Sequence, residues 1–87
     1  MAIVSVSSEA HAQLDHAFVP IQIRIHAILL RLTKWPEVSG AKPLRRELVG
    51  NFRLRTGDYR VIVRYDKATD TVIVWKIGYR GGIYDKD

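Results

Sequence analysis

The chain opens on an alternation of β-branched and small polar residues, Ile3-Val4-Ser5-Val6-Ser7, which predicts a short strand. The period then changes. Ser7 or Ser8 can cap a helix, Glu9 suits the positive end of its dipole, and Ala10, Leu14, Ala17 and Phe18 fall on one side at helical spacing. Pro20 ends that helix and is well placed to start a second, in which Ile21, Ile25, Ile28, Leu29 and Leu32 repeat the spacing up to Trp35-Pro36. The two form an αα-hairpin. Turn formers fill residues 36–43 (PEVSGAKP), the one stretch that reads as a connecting loop.

Beyond the loop the period is two. Phe52 and Leu54 alternate with Arg53 and Arg55, Val61 and Val63 alternate with Arg60, Ile62 and Arg64, and residues 71–77 form a third run of Val, Ile and Trp. Thr56-Gly57-Asp58 and residues 67–70 supply turns, so residues 51–78 predict an antiparallel meander. The order strand, helix, helix and three strands predicts an α+β fold over residues 1–87: one twisted sheet with both helices packed on one face. Alternation then sends Phe52 and Leu54 to the core. Arg53 and Arg55 project from the opposite, exposed face about 7 Å apart, and Arg60 opens the neighbouring strand. Three guanidiniums without a carboxylate among them make a site that attracts an anion.

Composition narrows the class. At 87 residues, 47% hydrophobic and 26% charged, the chain has the make-up of one small globular domain. It has no cysteine, so disulfides and thiolate metal sites are excluded. The N-terminal residues lack a basic segment and reach Glu9 early, and residues 19–32 are interrupted by Gln22, Arg24, His26 and Arg31. Neither a secretory signal nor a membrane span is expected, and the expected location is the cytoplasm. Fourteen Lys and Arg against nine Asp and Glu give a net charge of +5, and nine of the fourteen are Arg, the better phosphate ligand.

At the residue level the chain resembles the RelE/ParE superfamily of toxins from type II toxin-antitoxin pairs, on the RelE-like side. The resemblance covers most of the chain. It rests on the helix hairpin ending in Trp35-Pro36, on Lys42-Pro43-Leu44, on the run from Phe52 through Arg55-Thr56-Gly57-Asp58-Tyr59-Arg60 to Ile62, and on Ile77-Gly78-Tyr79-Arg80-Gly81-Gly82-Ile83-Tyr84. It implies an endoribonuclease that cleaves mRNA on the ribosome and is silenced by a cognate antitoxin in a hetero-oligomer. The implied chemistry is attack of a ribose 2′-OH on the adjacent phosphate, with no metal and no cofactor. Arg53 and Arg55 match the two basic residues of the family's catalytic strand, Arg60 the arginine of the next strand, Arg80 the arginine after the final glycine and Tyr84 the terminal tyrosine. On that match Arg60 and Arg80 hold nonbridging oxygens, Tyr84 stacks on a base or passes a proton, and Arg53 and Arg55 bind the backbone.

Two departures from the family pattern matter. The catalytic strand commonly carries lysines, and arginine, which stays protonated, is no substitute for a lysine acting as a base. Gly81-Gly82 stands where many members carry further charge. The other polar residues have plainer readings: His11, His16 and His26 lack metal-ligand spacing and lie away from the arginine strand, Arg64 and Lys76 suit a solvated face, and Arg45 and Arg46 either widen an RNA surface or pair with acids. Trp35, Trp75, Tyr59 and Tyr65 are assigned to core packing. Two rival functions keep the same basic face: a ParE-like poison of DNA gyrase, and a noncatalytic RNA-binding module.

Overall fold

The computed structural model describes residues 1–79. Strand β1 (Ile3–Val6) leads into helices α1 (Ser8–Asp15) and α2 (Val19–Leu32). A two-residue strand β2 (Lys42–Pro43) and a 3-10 turn (Arg46–Leu48) precede the meander β3 (Asn51–Thr56), β4 (Tyr59–Asp66) and β5 (Thr71–Tyr79). The sheet order is β1-β5-β4-β3-β2. The expected α+β architecture is present, with two additions. β1 pairs with β5 in parallel, Ile3 opposite Thr71 through Val6 opposite Val74, so the sheet is mixed. β2 adds a short edge beside β3, with Lys42 opposite Arg53 and Pro43 opposite Phe52.

Local chemistry accounts for the element ends. The Ser7 hydroxyl accepts a hydrogen bond from Ala10 N at 3.1 Å, which satisfies one of the four open donors of α1. α1 stops at Asp15, earlier than its apolar spacing suggests, so Phe18 lies outside it. Phe18 is the N-cap residue of α2 and exposed, a correction to its expected place in the core; the chain must turn there to bring Val19-Pro20 into a new helix. The β3–β4 turn is Gly57-Asp58, with Gly57 at φ 59, the positive value that a two-residue hairpin favours and a side chain resists.

The main core lies between the helices and one sheet face. Ala10 and Leu14 of α1 and Ile25, Ile28 and Leu32 of α2 are buried with Leu54, Val61, Val63, Val72, Val74 and Ile77. Trp35 packs against this cluster, edge-on to Phe52 and stacked on Tyr65 with centroids 4.8 and 5.8 Å away, and Tyr59 joins it as expected. α1 also completes the sheet edge where β1 runs out. Ser7 N donates to Val74 O, and Ile77 N donates to the Gln13 side-chain oxygen at 2.7 Å.

Two measurements probe these joints. Ser7→Ala removes the α1 cap and is expected to lower unfolding free energy by about 1 kcal/mol, read from urea denaturation. The Tyr65 hydroxyl donates to Asp70 at 2.6 Å, and this bond, helped by burial and by the Asp70 and Asp66 charges, holds the phenol above its usual pKa. Its stabilising contribution is therefore complete below the unfolded phenol's pKa of about 10 and is lost as pH rises through the higher folded value. Tyr65→Phe is expected to flatten the alkaline fall of the urea midpoint.

Candidate nucleic-acid interface

The face of the sheet away from the helices is set by the register of β3 and β4. Arg55 stands directly opposite Arg60, and Arg53 opposite Ile62 on one side and Lys42 on the other. Directly paired residues share a face, so Lys42, Arg53, Arg55 and Arg60 come together where Phe52, Leu54 and Val61 do not. Asn51 opposite Arg64 and Ile62 opposite Lys76 extend the same face.

The cations differ in environment. The Arg55 side chain is exposed and forms no ion pair or hydrogen bond among the described residues, and the same holds for the side chains of Lys42, Arg45 and Arg46. Arg53 and Arg60, expected on an exposed surface, are instead buried at 7% and 4% exposure, and both are engaged in interactions of their own. Arg53 is flanked by strands on both sides, and Arg60 lies between Arg55 and Gly78, so the sheet and its surroundings leave little of either guanidinium to solvent. Arg80 and Tyr84 lie outside the described residues. The arginines thus form a graded surface, two held firmly and one presented.

Beside them is a second, smaller apolar cluster that alternation alone did not indicate. Ile62 and Leu44 are buried together, with Leu48 and Trp75 packed against them. Trp75 belongs here and not in the helix-side core because the register slips: Ile62 pairs with Lys76 but Val63 pairs with Val74, leaving Trp75 as the extra residue of a bulge. Trp75 Nε1 donates to Asn51 Oδ1 at 2.9 Å, and Asn51 Nδ2 donates to Leu48 O at 3.0 Å, so one asparagine ties the 42–48 segment to the sheet. That segment lines an open cleft of about 790 Å³ from Lys42 to Leu48, with Arg45 and Arg46 exposed on it. Arg46 holds φ 60, unusual for a residue with a side chain.

The remaining candidates fall elsewhere. His11 and His26 are exposed on α1 and α2 and His16 is exposed at the C-cap of α1, with His11 3.3 Å from Asp15. Among the described residues no group of three or more His, Asp or Glu stands close enough to hold a metal ion. Lys76 is not merely solvated: its amine sits 3.2 Å from Glu9, which neutralises it at the edge where α1 meets β5. Among the described residues no helix is long and apolar enough to cross a membrane.

A two-helix layer on a mixed five-stranded sheet, with arginines concentrated on the open face, defines a small α+β protein of the RelE fold. No family model matches the chain. Over 43 residues it is 46% identical to the toxin RelG of Mycobacterium tuberculosis (strain ATCC 25618 / H37Rv), a match spanning 49% of this chain and 49% of that protein, so about half the length of that relative is covered. Over nearly its whole length it is similar to a chain of the RelBE2 toxin-antitoxin complex of Mycobacterium tuberculosis, with a TM-score of 0.80, 30% identity, and coverage of 91% of this chain and 98% of that one. The isolated RelE toxin of E. coli shares the fold, with a TM-score of 0.77, 11% identity, and coverage of 91% and 84%. The chain belongs to the RelE family of toxins.

The cross-strand pair of like charges carries a stability signature. Arg55→Gln is expected to leave unfolding free energy within about 0.5 kcal/mol of the parent, because Arg55 is exposed and unpaired among the described residues. The change should be upward at low ionic strength and vanish near ~1 M salt, where repulsion across the strands is screened. Urea titrations at the two salt levels read it.

Proposed function

We propose that this chain is the toxin of a toxin-antitoxin pair and acts as an endoribonuclease on mRNA engaged with the ribosome. The observation that carries the reading is the placement of Arg53, Arg55 and Arg60 on one stiff sheet face by the β3–β4 register, in a chain of the RelE family. Phosphodiester cleavage by the neighbouring ribose needs an array of fixed cations more than it needs a metal, since negative charge builds on the nonbridging oxygens as the phosphorus becomes five-coordinate. Buried guanidiniums suit this task because their geometry is held before the substrate arrives.

In the proposed step the 2′-oxygen bonds to phosphorus and the bond from phosphorus to the 5′-oxygen breaks. The products are a 2′,3′-cyclic phosphate and a free 5′-hydroxyl. The proton leaves the 2′-OH and one returns to the 5′-oxygen. Arg60 and Arg80 hold the nonbridging oxygens, Arg53 and Arg55 hold the flanking backbone, and Tyr84 stacks on a base or protonates the leaving oxygen. No arginine here accepts a proton, so the 2′-OH proton goes to water or to a group of the ribosomal RNA. The partners implied are the message on the ribosome and an antitoxin with an acidic segment that neutralises the basic surface.

Primer extension on ribosome-bound mRNA tests the reading. The parent chain is expected to produce discrete cuts, and Arg60→Ala, Arg80→Ala and Tyr84→Phe each to lower the cutting rate by about 10²-fold or more. Circular dichroism of each variant separates lost chemistry from lost folding. Absence of cuts by the parent overturns the nuclease; gyrase-dependent DNA breaks in its place would support the ParE-like alternative, and salt-sensitive RNA binding that survives Tyr84→Phe would support a noncatalytic binder.

A further inference from the structure

The 42–48 segment carries cations outside the β3–β4 arginine pair. Its cleft of about 790 Å³ is lined by Lys42, Arg45 and Arg46, by one carboxylate, Glu47, and by Pro43, Leu44 and Leu48. That volume lies in the range of about 300–1,000 Å³ typical of ligand sites. The floor is held in place: Leu44 is buried with Ile62, and Asn51 donates to the Leu48 carbonyl while accepting from Trp75. The side chains of Lys42, Arg45 and Arg46 form no hydrogen bond or ion pair among the described residues, so their charge is available to a ligand.

Arg46 differs from its neighbours in its backbone. Two described residues other than glycine hold positive φ, Arg46 at 60 and Asp70 at 50. Asp70 has a local reason, because aspartate tolerates this region and its carboxylate accepts the Tyr65 hydroxyl at 2.6 Å. Arg46 has no such reason: a long side chain is disfavoured at this φ where glycine is not, and no side-chain partner among the described residues offsets the strain. Strain of this kind, at a cation lining an open cleft, points to a contact made with a ligand.

Charge and continuity select the ligand. A second copy of this chain would bring the same cations and be repelled. Three cations against one carboxylate call for an anion, and the apolar floor calls for a flat surface beside it; a ribonucleotide supplies both in one unit, phosphate and base. The cleft is also continuous with the arginine face. Lys42 stands opposite Arg53 across β2–β3, a pairing that sets side chains about 5 Å apart at their Cβ atoms. A strand of RNA lying on Arg53 therefore meets Lys42 and then the cleft.

We propose that the 42–48 cleft is an accessory nucleotide site, in which Arg46 grips a backbone phosphate outside the scissile linkage and the attached base lies over Pro43 and Leu48. This rests on the nuclease reading above and deepens it, by separating a place where the message is held from the place where it is cut.

The probes are a hexaribonucleotide carrying 2′-O-methyl groups throughout, which cannot be cleaved, and its abasic counterpart. Titrated into isotope-labelled protein, the hexamer is expected to shift the amides of residues 42–48 and to move the Leu48 methyl signals by base ring currents; the abasic chain should shift the amides and leave the methyls. Arg46→Gly should weaken the hexamer about fivefold or more, make the slope of log K against log salt shallower by about 0.7, and leave the urea midpoint at or above the parent's. Arg46→Lys should keep the parent slope. An Arg46 of merely structural importance would leave affinity and slope unchanged in the glycine variant, and that result overturns the proposal. So do unshifted 42–48 amides at millimolar hexamer, Leu48 methyls that respond equally to both chains, or a hexaglutamate peptide that displaces the hexamer from the cleft at equal concentration. Shifts in the cleft without mRNA cutting by the parent remove the nuclease alone; cutting without shifts removes the accessory site alone.

Discussion

The structure is organised around cations of one sign held side by side on a β surface. Arg55 faces Arg60 across the β3–β4 ladder and Arg53 faces Lys42 across β2–β3, arrangements that cross-strand pairing normally avoids. Like charges paired directly across strands repel, so the face draws support from the rest of the fold. It persists because the other face of the same strands carries Leu54, Val61 and Val63, fully buried beneath α1 and α2, and because two of the arginines are themselves enclosed. On the reading proposed above, the concentration of charge on this face is the property that suits it to a phosphodiester.

This division explains why each strand has two jobs. Alternation gives β3 and β4 a core side and a chemical side, so a change on one is transmitted to the other only through the backbone. The small cluster of Leu44, Leu48, Ile62 and Trp75 on the chemical side, tied by Asn51, holds the 42–48 segment against the sheet and with it Lys42, Arg45 and Arg46. The helix layer is free of these duties.

Much of this was legible in the sequence because it is local. The Ser7 cap, the apolar spacing of Ile25, Ile28 and Leu32, the Gly57-Asp58 turn and the alternation that aligns Arg53 with Arg55 all depend on residues close together in the chain, and each is found as expected. What was not legible is non-local. The parallel pairing of β1 with β5 joins segments nearly seventy residues apart, and β2 becomes a strand only because β3 offers an open edge. Trp75 packs in a core as expected, but which cluster it joins is set by the bulge between Ile62 and Val63, which local spacing does not report. The burial of Arg53 and Arg60 likewise depends on what surrounds the strands, which alternation does not report.

The central claim is that phosphate is neutralised by this arginine face, and its most direct test is the salt dependence of binding to an RNA carrying a 2′-deoxyribose at the cut site, which binds without being cleaved. If the face engages single-stranded phosphates, log K falls linearly with log salt and the slope is shallower by about 0.7 for each contact removed, as in Arg55→Gln. A slope that Arg55→Gln does not change, or binding indifferent to salt, would contradict the account.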